Sequence, residues 1–146
     1  MKPEGDHKMG RFSVDIEISN YDDLANVRSG HLASAKVRRK KISALVDCGA
    51  TRLVLPEAVA QQLGLPIKKS KTRVRYADGR RALRFEVEAV HLRLQGREGV
   101  FSAALEPKRD TALVGAIVLE DLDFLVDSRK ACLVPRDPDY VVSEIE

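Results

Sequence analysis

An aspartate at the end of an apolar run is the side chain of this sequence best placed to do chemistry. Ala44-Leu45-Val46 leads into Asp47, and Cys48-Gly49-Ala50-Thr51 follows. The apolar run reads as a buried strand, and a carboxylate at its end must be paired or hydrogen-bonded. Gly49 lets the backbone turn sharply or another chain approach closely. The pattern therefore delivers a carboxylate from a core to a tight turn. One outcome is structural: an Asx-turn in which Asp47 caps its own backbone. The other is acid–base chemistry. Hydrolysis by two carboxylates needs one ionised and one protonated group around a water, and a close pair meets that need by sharing a proton. The sequence holds one such block, because Asp78-Gly79 lies at a polar hairpin tip. A two-carboxylate mechanism would then take its second Asp47 from another copy across a two-fold axis.

Other chemistries find less support. Cys48 has no histidine near it in sequence to activate a nucleophilic thiol. His7, His31 and His91 lack metal-ligand spacing, so no metal is expected. There is no G-x-S-x-G and no phosphate-binding glycine loop, and no cofactor is expected. The basic run Lys36-Val37-Arg38-Arg39-Lys40-Lys41 could touch phosphates or an acidic partner. A solvated strand end or turn is the preferred reading. No aromatic residues interleave with it as a stacking platform, so a nucleic acid is not the expected partner.

The elements that must position Asp47 can be read in order. Phe12 to Ile18 alternates apolar and polar residues, the pattern of a half-buried strand. Asn20-Tyr21-Asp22-Asp23 reads as a turn opening a loop to Ser29-Gly30. His31 to Val37 and Ile42 to Val46 read as two strands supporting the Asp47 turn. Leu53-Val54-Leu55 is a short strand, and Pro56 suits the first position of a helix that stops at Gly64 in a left-handed cap. In the next hairpin Thr72, Val74 and Tyr76 share one face and Arg73 and Arg75 the other, with a type I′ turn at Asp78-Gly79. Leu83, Phe85, Val87 and Ala89 keep period two, then the parity shifts to Val90, Leu92 and Leu94, which predicts a bulge near Ala89. Gln95 to Gly99 reads as a turn, and Phe101, Ala103 and Leu105 as the returning strand. Ala112-Leu113-Val114-Gly115 repeats the apolar strand and glycine without the Asp, and Ile117 to Leu122 reads as a short helix. Phe124 to Asp127 and Ala131 to Val134 form a last hairpin around Ser128-Arg129. Many short strands with one or two brief helices make the class all-β.

Four blocks together resemble the retropepsin-like aspartic proteases of the small single-lobed prokaryotic type. Asp47-Cys48-Gly49-Ala50-Thr51 is similar to their Asp-Thr/Ser-Gly-Ala-Thr signature. Leu55 to Leu65 resembles the segment after it, Ala77-Asp78-Gly79 their flap hairpin, and Leu113 to Phe124 their hydrophobic-hydrophobic-Gly motif with its short helix. The blocks occur in the family's order and span roughly residues 11 to 138. The resemblance implies a closed barrel and a homodimer. It implies catalysis by Asp47 on a turn of Cys48, Gly49, Ala50 and Thr51. An extended peptide or unfolded segment would be held under a flap at Tyr76, Ala77, Asp78 and Gly79, with Leu113, Val114 and Gly115 as the second motif. Cys48 departs from the pattern: the family places a hydroxyl there that bonds across the dimer axis, and a thiol is a weaker donor. Two functional expectations follow. One is a homodimeric aspartic endopeptidase with an activated water. The other is the same fold kept as a peptide-binding or protein-interaction module with little or no catalysis.

With 146 residues, 44% of them hydrophobic and no tryptophan, the chain suits one domain. The expected layout is a flexible leader at 1–9, a protease domain at 10–138 and a tail at 139–146. No apolar stretch approaches the ~20 residues of a membrane span, and residues 1–8 lack a signal-peptide core, so a cytoplasmic setting and no membrane partner are expected. Cys48 and Cys132 form no CxxC and are expected as thiols.

Overall fold

The computed structural model describes residues 11–146, so the expected leader at 1–9 lies outside the described residues. Strand β1 (Arg11–Ser19) pairs antiparallel with β2 (Arg39–Asp47) over its whole length, from Arg11 opposite Asp47 to Ser19 opposite Arg39. Further strands are β3 (Leu53–Pro56), β6 (Glu86–Leu94), β7 (Arg97–Glu106) and β8 (Ala112–Val114). Together they close a six-stranded barrel in the order β1-β2-β8-β3-β7-β6. Two hairpins stand apart: β4 (Thr72–Arg75) with β5 (Arg81–Arg84), and β9 (Phe124–Asp127) with β10 (Cys132–Pro135). The fold is the all-β closed barrel that the sequence implied. Ile16, Ile18, Val46, Leu53, Leu55, Leu92, Leu105 and Val114 fill it, each 2% exposed or less.

The region before β2 differs from its sequence reading. Tyr21–Arg28 is helix α1, not a loop, and 31–37 carries one 3₁₀ turn at Ser34–Lys36 and no strand. Asn20 is the reason for the helix. Its Oδ1 accepts from the Asp23 N–H at 2.9 Å, and its Nδ2 donates to the carbonyls of Leu63 and Gly64. Asp23, buried, then accepts from the Arg38 backbone N–H and its guanidinium at 2.9–3.0 Å. Arg38, from the basic run, is thus half-exposed but has its guanidinium committed to an internal carboxylate. A Cβ on Gly64 would collide with Arg38 Nη1, so the left-handed cap of helix α2 (Glu57–Gln62) is also the seat of that guanidinium.

Turn chemistry also departs in two places. The β4–β5 hairpin has positive φ only at Gly79 (89°), with Gly79 N–H donating to Tyr76 O and Tyr76 N–H to Arg80 O. That is a three-residue loop with a glycine bulge, not the type I′ turn expected at Asp78-Gly79. The two-residue loop with both φ positive is at Gln95 (48°) and Gly96 (82°), so β7 already begins at Arg97. The parity shift expected near Ala89 is a register shift between Val87 and Val90. Pro56 ends β3 and caps α2 rather than opening it, and α3 covers Ala116–Asp121.

Candidate active site

Asp47 closes β2 at 8% exposure. The turn after it is held by its own groups: Gly49 N–H donates to Asp47 Oδ1 at 2.9 Å, and Ala50 N–H donates to Asp47 O at 3.1 Å. The Asx-turn and the delivery of a carboxylate are therefore one and the same structure. The second oxygen, Oδ2, lies 2.8 Å from Arg11 Nη2 across the β1–β2 pair. Cys48 is exposed and its thiol is free, as is that of Cys132.

The second glycine motif braces this turn. Strand β8 runs parallel to β2 with Val114 opposite Val46, so Gly115 comes level with Asp47. A Cβ at Gly115 would lie 2.6–2.7 Å from the carbonyl oxygens of Arg52 and Ala50, which is closer than any side chain tolerates. The absence of that Cβ lets α3 start against the turn, where Ala116 N–H donates to Ala50 O at 2.8 Å and Ile117 N–H to Thr51 O at 2.9 Å. Two otherwise unpaired helix N–H groups are satisfied by the two turn carbonyls. The structure thus brings Asp47, Cys48, Gly49, Ala50 and Thr51 together with Leu113, Val114 and Gly115. Beyond the turn, Arg52 bonds to Glu86 at 2.9 Å and to Ser102 Oγ at 3.1 Å, tying its exit to β6 and β7.

Tyr76, Ala77, Asp78 and Gly79 lie apart from that turn, at the end of the β4–β5 hairpin. Tyr76 donates its hydroxyl to Glu106 Oε2 at 2.6 Å, and Arg84 Nε lies 3.0 Å from Oε1 of the same carboxylate. Burial, helped by the hydrogen bond to Glu106, raises the Tyr76 phenol above its ordinary range. Asp78 turns back on Arg80, accepting from its N–H at 2.9 Å and its Nε at 2.8 Å. One glutamate near the end of β7 therefore holds the hairpin at both ends, through the Tyr76 hydroxyl beside its loop and the Arg84 guanidinium at its base.

Arg11, Glu106 and Arg84 were not singled out from sequence. Glu106 follows the alternating Phe101, Ala103 and Leu105, and that position reads equally well as the start of a polar loop. Arg11 meets Asp47 only through a strand register set across a 19-residue connection, which no local pattern encodes. Among the described residues no cluster of His, Cys, Asp or Glu could hold a metal ion, and no helix is long and apolar enough to cross a membrane.

Comparison with known proteins agrees with this geometry. The model of the gag-polyprotein putative aspartyl protease family matches residues 33–121, which include the Asp47 turn, the β4–β5 hairpin and Gly115. No curated protein matches the chain. Among solved structures, the EIAV protease complexed with the inhibitor HBY-793 is similar. It is 18% identical over 77% of this chain and 88% of its own, with a TM-score of 0.53. That likeness is one of fold. The chain belongs to the gag-polyprotein aspartyl protease family and carries its retropepsin-like barrel.

Proposed function

We propose that the protein is a homodimeric aspartic endopeptidase that hydrolyses peptide bonds with Asp47, its counterpart in a second copy and an activated water. The observation that carries this reading is the register of β2 and β8. Two parallel strand ends stand side by side, and one offers Asp47 where the other offers Gly115. One chain thus supplies one carboxylate at the turn, and a shared-proton pair needs the second from outside. One carboxylate then takes a proton from the water while the other polarises the carbonyl and protonates the leaving nitrogen. The surface beside the turn suits a second copy. Ile117, whose N–H holds Thr51, is 49% exposed, and the cross-strand pair Leu125 and Val134 is 52% and 40% exposed on the outer face of β9–β10. Burial of such apolar surface drives association. The β4–β5 hairpin would close over an extended peptide and hold it by backbone hydrogen bonds. Two free thiols fit a reducing, cytoplasmic setting.

One observation favours the second reading, a dimeric peptide-binding module with weak or no turnover: Arg11 occupies the Asp47 oxygen that Gly49 leaves open. Peptide hydrolysis and sedimentation of the native chain and Asp47→Asn separate the two. The protease reading expects a dimer with a bell-shaped rate profile on the acidic side of neutral, and an inert, dimeric Asp47→Asn. Undiminished hydrolysis by Asp47→Asn would overturn it, and a dimer that binds peptide without turnover would establish the module.

A further inference from the structure

The strongest charge asymmetry of the chain lies on the β4–β5 hairpin and the loop leading into it. Between Lys68 and Phe85 there are eight Lys and Arg residues and one carboxylate, Asp78. The whole chain carries only +3, so the remainder is net acidic. Three of the eight are internally matched: Lys68 with Glu86, Arg80 with Asp78 and Arg84 with Glu106. Arg73, Arg75 and Arg81 are exposed, and among the described residues none has a carboxylate within 4.0 Å.

These three share one face. Strand register sets Arg75 directly opposite Arg81 and Arg73 opposite Leu83, while Thr72, Val74, Ala82 and Arg84 form the half-buried face towards the barrel. Like charges directly opposite one another destabilise a strand pair. The cost falls on an isolated two-stranded sheet, the least robust kind. An anionic chain laid along this face would remove that repulsion and order the hairpin.

We propose that the outer face of the β4–β5 hairpin, through Arg73, Arg75 and Arg81, docks an acidic, extended polypeptide segment. Same-face residues along a strand are about 7 Å apart, the spacing at which an extended chain presents alternate side chains. Carboxylates at alternate positions therefore meet Arg73 and Arg75 in register, and Leu83, 53% exposed between the arginines, offers an apolar contact. A polypeptide fits this face better than a nucleic acid, because base stacking needs free rings. The nearby rings are occupied: Arg80 lies 4.7 Å from the Tyr76 ring and Lys71 Nζ 4.5 Å from that of Phe85. The docking requires the hairpin but no turnover, so it stands apart from the protease reading.

The test is fluorescence anisotropy with full-length Asp47→Asn protein and three labelled probes at 150 mM salt (about an 8 Å screening length). The probes are an alternating Glu-Leu peptide, the same peptide with Gln for Glu, and a single-stranded DNA of equal charge. The Glu peptide is expected to bind at least tenfold more tightly than either of the others. The variant Arg73→Gln/Arg75→Gln/Arg81→Gln is expected to lose at least tenfold of that affinity. Because it also removes the Arg75–Arg81 repulsion, its melting temperature should not fall. Arg75→Glu alone, which turns the repulsion with Arg81 into an attraction, is the second variant, expected to weaken peptide binding and stiffen the hairpin. Equal binding of the Glu and Gln peptides, or unchanged affinity in the triple variant, would overturn the proposal. Tighter binding of the DNA would reassign the face to nucleic acid.

Discussion

Arg11 Nη2 sits 2.8 Å from Asp47 Oδ2 because the two residues are register partners at the open end of the β1–β2 pair. With Gly49 N–H on Oδ1, both oxygens of the carboxylate are engaged within one chain. Each carboxylate oxygen has two lone pairs, so Arg11 competes with a shared proton and a catalytic water for Oδ2 without excluding them. In the proposed dimer, release of Arg11 from Oδ2 would favour turnover. Arg11→Gln is expected to lose about 1 kcal/mol of monomer stability, since Arg11 is partly solvated, and to raise the rate of peptide hydrolysis. Denaturant titration and turnover, read on the same preparation, check both. A fall in turnover would instead make Arg11 a positioning residue for Asp47.

Gly115 carries the packing of α3 against the Asp47 turn. An added Cβ would meet the carbonyl oxygens of Arg52 and Ala50 and the carbonyl carbon of Thr51, and the Ala50 and Thr51 carbonyls cannot move without breaking the Ala116 and Ile117 hydrogen bonds. Gly115→Ala is expected to destabilise the fold by about 3 kcal/mol or more. Gly79→Ala is the contrasting control: its φ is 89° but no atom lies within 4 Å of the added Cβ. The cost there is the left-handed backbone alone, about 1–2 kcal/mol. Equal losses in the two variants, by urea unfolding, would show that the close approach at Gly115 is not what fixes the turn.

Acid sensitivity follows from carboxylates held below their usual range. The Arg38 guanidinium does this to Asp23, Lys68 and then Arg52 to Glu86, and Arg136 with the Val142 N–H to Asp123. A carboxylate with a lowered folded value adds stability above its unfolded pKa, about 3.9 for Asp and 4.3 for Glu. That stability is lost as pH falls through the folded value. Stability should therefore be flat near neutral and fall below about pH 4. Asp23→Asn is expected to cost about 1–2 kcal/mol near neutral pH, because the half-exposed Arg38 keeps part of its solvation. The difference from the native chain should shrink as pH approaches 2–3. A constant difference at every pH would mean that the charge on Asp23 contributes nothing.

Period-two alternation made the barrel strands readable, and the jump from Ala89 to Val90 exposed the bulge, because parity is a local property of the chain. The Asp47 turn and Gly115 were legible for a similar reason: an apolar strand that stops at a small residue is visible within five positions. Helix α1 was not, since Asn20-Tyr21-Asp22-Asp23 has the composition of a turn, and the helix depends on Asn20 reaching Leu63 and Gly64, over 40 residues away. The strand expected at 31–37 failed because Val37 is its one buried apolar residue. Arg11 against Asp47 and Tyr76 against Glu106 are likewise products of tertiary register, invisible until the barrel closes.

Cys48 stands where the family pattern has a hydroxyl, on the exposed shoulder of the Asp47 turn. Gly49, the next residue, already spends its N–H on Asp47 Oδ1, so the shoulder side chain is what remains to reach a second copy. A thiol donates weakly, and two turns joined by thiols would hold the paired carboxylates loosely. A displacement of ~1 Å can cost about a hundredfold in rate. Cys48→Thr supplies the stronger donor at similar size, in an exposed place that can accept the extra methyl. Each neutral hydrogen bond contributes about 0.5–1.5 kcal/mol, and a two-fold dimer would gain two, so dimerisation should tighten by about 1–3 kcal/mol. Turnover should rise with it. The dimer dissociation constant and the hydrolysis rate of both forms are to be compared under reducing conditions, which prevents a Cys48–Cys48 disulfide from imitating the brace. Weaker association together with slower cleavage in Cys48→Thr would show that this side chain does not face the dimer axis.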